Sequence, residues 1–216
     1  MKPPNLNKGI AQIHIAVFLF GFAGLFGKFL SCSPLYIVLG RTFFASIALF
    51  VYARFFAKTV LFEFDKKEIF FFVLQGILLA VHWWSFFLSI QISSVAVGLI
   101  TFSTFPLFVT FLEPIFFKEK LNQKDILIAG VVFIGILLVI PNFNFADNIT
   151  KGGFFGIISG FTFALLALVN RRNARISNAI AIAFYQNLFA SIFLVVPILT
   201  IQIVPPQFSD LPFLIF

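Results

Sequence analysis

Seven apolar runs follow one another along the chain, and short polar connections separate them. Most of the runs reach the roughly 20 residues that an α-helix needs to cross a bilayer. They cover Ile10–Leu30, Pro34–Ala57, Ile69–Ile90, Val95–Phe117, Asp125–Ile140, Gly152–Asn170 and Asn178–Val204. Leu211–Phe216 reads as the first turns of an eighth. Backbone polar groups in hydrocarbon must be bonded within their own segment, so helices are the open-ended solution. A membrane barrel needs alternation over about ten residues, and these longer runs do not alternate. Only 11% of the residues are charged and 61% are hydrophobic. A soluble domain keeps roughly a quarter of its residues charged. The natural solvent of this chain is therefore a bilayer.

The polar connections carry the charge. Twelve basic residues fall on one side of the seven spans: Lys2, Lys8, Arg54, Lys58, Lys66, Lys67, Lys118, Lys120, Lys124, Arg171, Arg172 and Arg175. The loops on the other side hold Lys151 alone. Cytoplasmic loops are the basic ones, so the N-terminus is expected inside. The net charge of +7 thus reports topology and not nucleic-acid binding. Lys2 and Lys8 before an apolar stretch imitate a signal peptide, and Phe29-Leu30-Ser31-Cys32 faintly resembles a lipoprotein cleavage site. Lys28 interrupts that stretch and further spans follow, so the segment is read as a retained helix.

Two spans echo each other. Arg41-Thr42-Phe43-Phe44-Ala45-Ser46-Ile47 and Gln186-Asn187-Leu188-Phe189-Ala190-Ser191-Ile192 share Phe-Ala-Ser-Ile, with Gln186 at the place of Arg41. The second span runs outside to inside and the seventh inside to outside. A repeat that returns upside down implies an odd number of helices per unit, here five. Inverted repeats with a site near the midplane are a recurrent transporter architecture.

At this point the residues resemble a known family. Ser33-Pro34-Leu35 followed by Gly40-Arg41-Thr42-Phe43 is similar to the second-helix turn and arginine-aromatic pair of EamA-type transporters, within the drug/metabolite transporter (DMT) superfamily. His82-Trp83-Trp84-Ser85-Phe86-Phe87 followed by Ser93-Ser94-Val95-Ala96-Val97-Gly98 resembles the family's third-to-fourth helix hairpin. Phe105-Pro106-Leu107-Phe108 resembles its fourth-helix proline. Lys118-Glu119-Lys120-Leu121 resembles its Gly-Glu-Arg-Leu signature, with Lys118 where the signature has glycine. Ala183-Phe184-Tyr185-Gln186 resembles the second repeat's counterpart. The resemblance implies an all-α polytopic membrane protein built as two inverted five-helix repeats. Residues 1–141 would form the first repeat, 142–151 an extracytoplasmic linker, and 152–216 a second repeat that is incomplete in this chain. The implied localisation is a bacterial inner (plasma) membrane, and the implied cargo a small metabolite of amino-acid, nucleobase or cofactor-like type. A homodimer is left open. The alternative is a truncated, non-transporting membrane remnant or a helical scaffold.

Polar groups inside spans are costly and mark function by default. Arg41 lies about seven residues into its span, roughly 10 Å deep at 1.5 Å per residue. It either snorkels to the headgroups or faces a cavity, where it would hold a carboxylate or phosphate. His82, Trp83 and Trp84 sit deep in the third span and suit either helix packing or a wall that stacks a planar substrate. His14 and Glu113, with His82, are the candidates for proton coupling. Lys28, near the outer end of the first span, is expected to snorkel. Glu113 alternatively pairs with Lys118. Tyr185, Gln186 and Asn187 form a polar patch in the seventh span. Pro106, among Thr101, Ser103 and Thr104, is expected to kink the fourth helix and act as a hinge. No zinc-protease or nucleophile-elbow motif and no P-loop appears, so no enzyme activity, cofactor or metal is expected. A single cysteine, Cys32, excludes an intramolecular disulfide.

Overall fold

The computed structural model describes residues 10–11, 14–15, 18, 21, 24–25, 27–59, 61, 64–121, 123–139 and 144–210. Among them are seven α-helices and no strand. They are α1 (Pro34–Val51), α2 (Lys66–Ile92), α3 (Val95–Phe102), α4 (Phe105–Phe117), α5 (Gln123–Val139), α6 (Asn148–Asn173) and α7 (Ala179–Thr200). A π-helical turn, Tyr52–Ala57, extends α1. Among the described residues five stretches are long and apolar enough to cross a membrane: Pro34–Ala57, Lys66–Ile92, Val95–Phe117, Asn148–Asn173 and Ala179–Thr200. The described residues of the predicted first span, from Ile10 to Phe29, are helical. The predicted start of an eighth helix, and Lys2 and Lys8, lie outside the described residues.

Local chemistry sets most of the boundaries. Ser33 caps α1, its hydroxyl accepting from the Leu35 amide, with Pro34 in the first turn where no N–H is needed. Asp65 and Glu68 form a reciprocal capping box, so α2 begins three residues before the predicted Ile69. The polar run read as a connection is partly the first turn of a helix. Likewise α6 starts at Asn148, inside the segment predicted as linker. The predicted fifth span appears as α5, whose 17 described residues cover about 25 Å at 1.5 Å per residue. Its outer residues Leu127, Val131 and Leu138 are exposed.

The predicted fourth helix is two helices. α3 ends at Phe102, which is four residues before Pro106. A proline ring clashes with the carbonyl four residues back and removes one helical hydrogen bond, so the break falls at that carbonyl and not at the proline. Hydroxyls bind carbonyls of the broken turn. Ser103 donates to Ile100 O (2.6 Å), and Thr104 donates to Thr101 O (2.8 Å). Pro106 itself sits in the first turn of α4, where proline fits.

Helix α2 lies at the centre, packed against α1, α3, α6 and α7. Helix α6 approaches the end of α2 through Gly152, and α3 and the break after it through Gly156 and Gly160, because these positions present no side chains. A Cβ on Gly156 would collide with the Thr101 side chain, and one on Gly160 would press on Thr104 and the Phe102 carbonyl. Membrane helices associate through such small-residue faces, because lipid supplies no hydrophobic drive between them. Phe55, Ile115 and Leu199 point their apolar surface outward.

Candidate functional site

The two echoing segments meet. α1 packs on α7, and the Ser191 hydroxyl donates to Thr42 Oγ1 (2.9 Å) at their crossing. Beside this contact is a cavity of about 1090 Å³. Arg41 and Thr42 line it from α1, and Gln186 and Asn187 from α7. The corresponding positions of both echoes therefore face one space.

Arg41 is stacked and not paired. Its guanidinium carbon lies 4.9 Å from the Trp83 ring centre and 5.9 Å from that of Phe87. Among the described residues no carboxylate forms an ion pair with it. With no described carboxylate beside it, its N–H donors are left for a ligand. His82, buried at the cavity wall, is fixed by α6. Its Nδ1 lies 2.8 Å from Ser159 Oγ and 3.1 Å from Ser159 O. The Ser159 hydroxyl donates to the His82 carbonyl (3.1 Å), so both neighbours of Nδ1 act as acceptors. The imidazole proton belongs on Nδ1, which leaves Nε2 as an acceptor. Phe86, Phe102, Phe105 and Phe163 supply the apolar wall.

Both ends of the bundle beside the cavity are tied. At one end Lys28 Nζ donates to Ile90 O and Ser93 O (3.2 Å each), and Gln91 Nε2 donates to Leu30 O and Cys32 O. The Lys28 ammonium thus serves the last carbonyls of α2, at the end of the span where it was expected to reach the headgroups. At the other end Arg171 pairs with Glu113 and, at 2.6 Å, with Glu119. This hydrogen bond from Arg171 holds the Glu119 carboxyl below the usual carboxylate range. Next to it, Gln75 donates to Asn170, Asn173 donates to Gln75 (3.0 Å), and Arg172 covers the Phe71 ring at 3.4 Å.

Of the predicted site residues, Arg41, His82, Trp83 and Gln186 line the cavity. The others go elsewhere. Trp84 meets Phe155 edge-on. Tyr185 donates to Leu61 O and stacks on Phe72 in a separate core. His14 is exposed, its Nδ1 2.9 Å from Ile10 O. Glu113 pairs with Arg171 in place of the predicted Lys118. Pro106 follows Phe105, which lines the wall. Ser159 and Asn170 were missed. A signal for their helix partners existed, since Gln75, His82 and Ser89 recur every seven residues and share one face of α2.

The fold and this site define a polytopic helical protein with a largely apolar cavity among its helices, into which Arg41, Gln186 and Asn187 bring polar groups. The model of the EamA-like transporter family matches residues 7–140, more than half of the chain, and the chain belongs to that family. It is an integral membrane protein, a transporter of the DMT type. No curated protein and no solved structure matches it.

Proposed function

We propose that the protein is a secondary transporter that moves small metabolites through the Arg41 cavity by alternating access. The observation that carries this reading is the meeting of the two echoes: Arg41 and Thr42 face the same cavity as Gln186 and Asn187. A site between two repeats of opposite direction is where such transporters bind their cargo. In this account residues 1–141 form one repeat and 152–216 belong to its inverted partner, with 142–151 between them. The N-terminus is cytoplasmic, and the membrane is a bacterial inner membrane. The tied ends of the bundle act as two gates, and the break at Ser103–Thr104 ahead of Pro106 is the hinge. Arg41 and Gln186 bind cargo, Trp83 stacks on it, and His82 offers Nε2 as an acceptor. A counterflow assay in proteoliposomes tests this, across amino acids, nucleobases, organic acids and cofactor-like compounds. Saturable exchange of at least one class is the expected result. Folded protein that exchanges none of them would overturn the reading.

A further inference from the structure

We propose that the ligand of this cavity is an organic monoanion, an apolar or aromatic body carrying one carboxylate that docks on Arg41. The proposal rests on the reading of this cavity as the cargo site.

Four observations carry it. First, among the described residues Arg41 is the sole one lining the cavity with a fixed charge, and no described aspartate or glutamate lines it. The undescribed residues of the first span add none, because Ile10–Leu30 contains no acidic residue. Second, the guanidinium lies against the Trp83 and Phe87 rings, and no described carboxylate takes its N–H groups. A carboxylate is the anion whose two oxygens match two of those donors. Third, charge must balance in a site of low polarity. One arginine neutralises one negative charge. A phosphate monoester would bring a second, uncompensated charge. An amine or zwitterion would bring an ammonium with no carboxylate to meet it. Fourth, the wall opposite is built from Leu99, Phe102, Phe105 and Phe163, which suits a hydrocarbon or aromatic body. Gln186 adds a buried side-chain oxygen with no hydrogen-bond partner among the described residues. That oxygen, with His82 Nε2, would accept from a hydroxyl or N–H on the ligand.

Trp83 makes the test direct, because a ligand on Arg41 disturbs the ring that Arg41 covers. The chain has two tryptophans, and Trp84 does not line the cavity. In purified Trp84→Phe protein in neutral detergent, Trp83 emission is followed during titration with matched probes. These are phenylacetate, phenylacetamide, phenethylamine, phenylalanine and phenyl phosphate. Phenylacetate is expected to give a saturable change at a concentration roughly ten-fold or more below every other probe. Arg41→Gln should abolish that preference while the protein melts as a folded species, and Arg41→Lys should keep part of it. Equal or tighter binding of phenethylamine, phenylalanine or phenyl phosphate would overturn the proposal. So would an unchanged preference in Arg41→Gln, or no response to phenylacetate from folded protein. A response to short-chain phosphatidylglycerol with none to phenylacetate would overturn it in favour of a lipid phosphate. The same probes in vesicle counterflow separate the two readings. Binding of phenylacetate without flux of any probe would remove the transport reading and leave the ligand class standing. Flux of the amine or the zwitterion without phenylacetate binding would do the reverse.

Discussion

Arg41 and Arg171 are the same residue under opposite treatment. Arg171, at the basic end of α6, is satisfied by Glu113 and Glu119 and lies 4.4 Å over the Phe117 ring. Its ion pairs are partly open, with side-chain exposures of 38% for the arginine against 32% and 47% for the two glutamates. Arg41 lies within α1, lines a cavity, and has the Trp83 and Phe87 rings beside it and no ion pair among the described residues. An arginine whose donors are filled by its own protein holds helices together. One whose donors are left open awaits a ligand, because an unmatched charge at that depth is otherwise a pure cost. On the proposed reading Arg171 is the structural cation and Arg41 the binding one.

The largest effect should come from Arg41→Gln. Loss of a buried charge-assisted contact costs about 2–5 kcal/mol of binding. Affinity in the fluorescence titration should then fall by well over ten-fold, while the unfolding midpoint holds or rises. A drop in the midpoint with affinity intact would reverse the roles of the two arginines. Arg171→Gln should do the opposite, lowering the midpoint by a few degrees at most, because partly exposed pairs contribute little, and leaving affinity unchanged. A differential melting scan of both variants side by side reads this contrast.

A smaller and opposite change is expected at the turn that presents Glu119. Lys118 caps α4 in the left-handed region, with φ of 56°. That region disfavours side chains by about 1–2 kcal/mol per residue. The glycine of the resembled signature fits this geometry, so Lys118→Gly should raise stability by about 1 kcal/mol. Unfolding in denaturant checks the sign, and a loss of stability would contradict it. The smallest effect is on pH. Arg171 lowers the Glu119 carboxyl pKa in the folded state. A depressed carboxylate contributes stability above its unfolded value of 4.5, and that contribution is lost as pH falls through the lower folded value. The midpoint difference between the parent protein and Glu119→Gln should shrink over that acid window. A difference that does not shrink would remove Glu119 from the pair.

What was legible in the sequence follows from what stands out against apolar background. The outer limits of Pro34–Ala57 and Val95–Phe117 came directly from run length. Arg41 and His82 were visible because polar residues within spans are rare. Which of two neighbours faces the cavity was not visible. Trp83 and Trp84, like Gln186 and Tyr185, are adjacent and point about 100° apart on a helix, so partners decide which one enters. Ser159 looked like any small helical residue, because its meaning depends on His82 from another helix. The glycines at 152, 156 and 160 were readable as a face, yet their role depends on what crosses them. Pro106 announced the interruption of the fourth span. Its position at Phe102 required the physics of the carbonyl four residues back.

Ala45 lines the cavity one turn from Arg41, which makes it the reporter of the central claim that this cavity is the transport pathway. Background labelling is low, because the one native thiol, Cys32, is buried and pushed up to about 11 by desolvation and by Asp210 nearby. The measurement is labelling of Ala45→Cys by a membrane-impermeant maleimide, applied separately from each face of oriented vesicles, with Phe43→Cys, outward-facing within α1 and outside the cavity, as the control. The predicted result is labelling of Ala45→Cys from both faces, slowed by bound phenylacetate, with the control unlabelled. Labelling from one face alone, or from neither, would contradict an alternating-access pathway through Arg41.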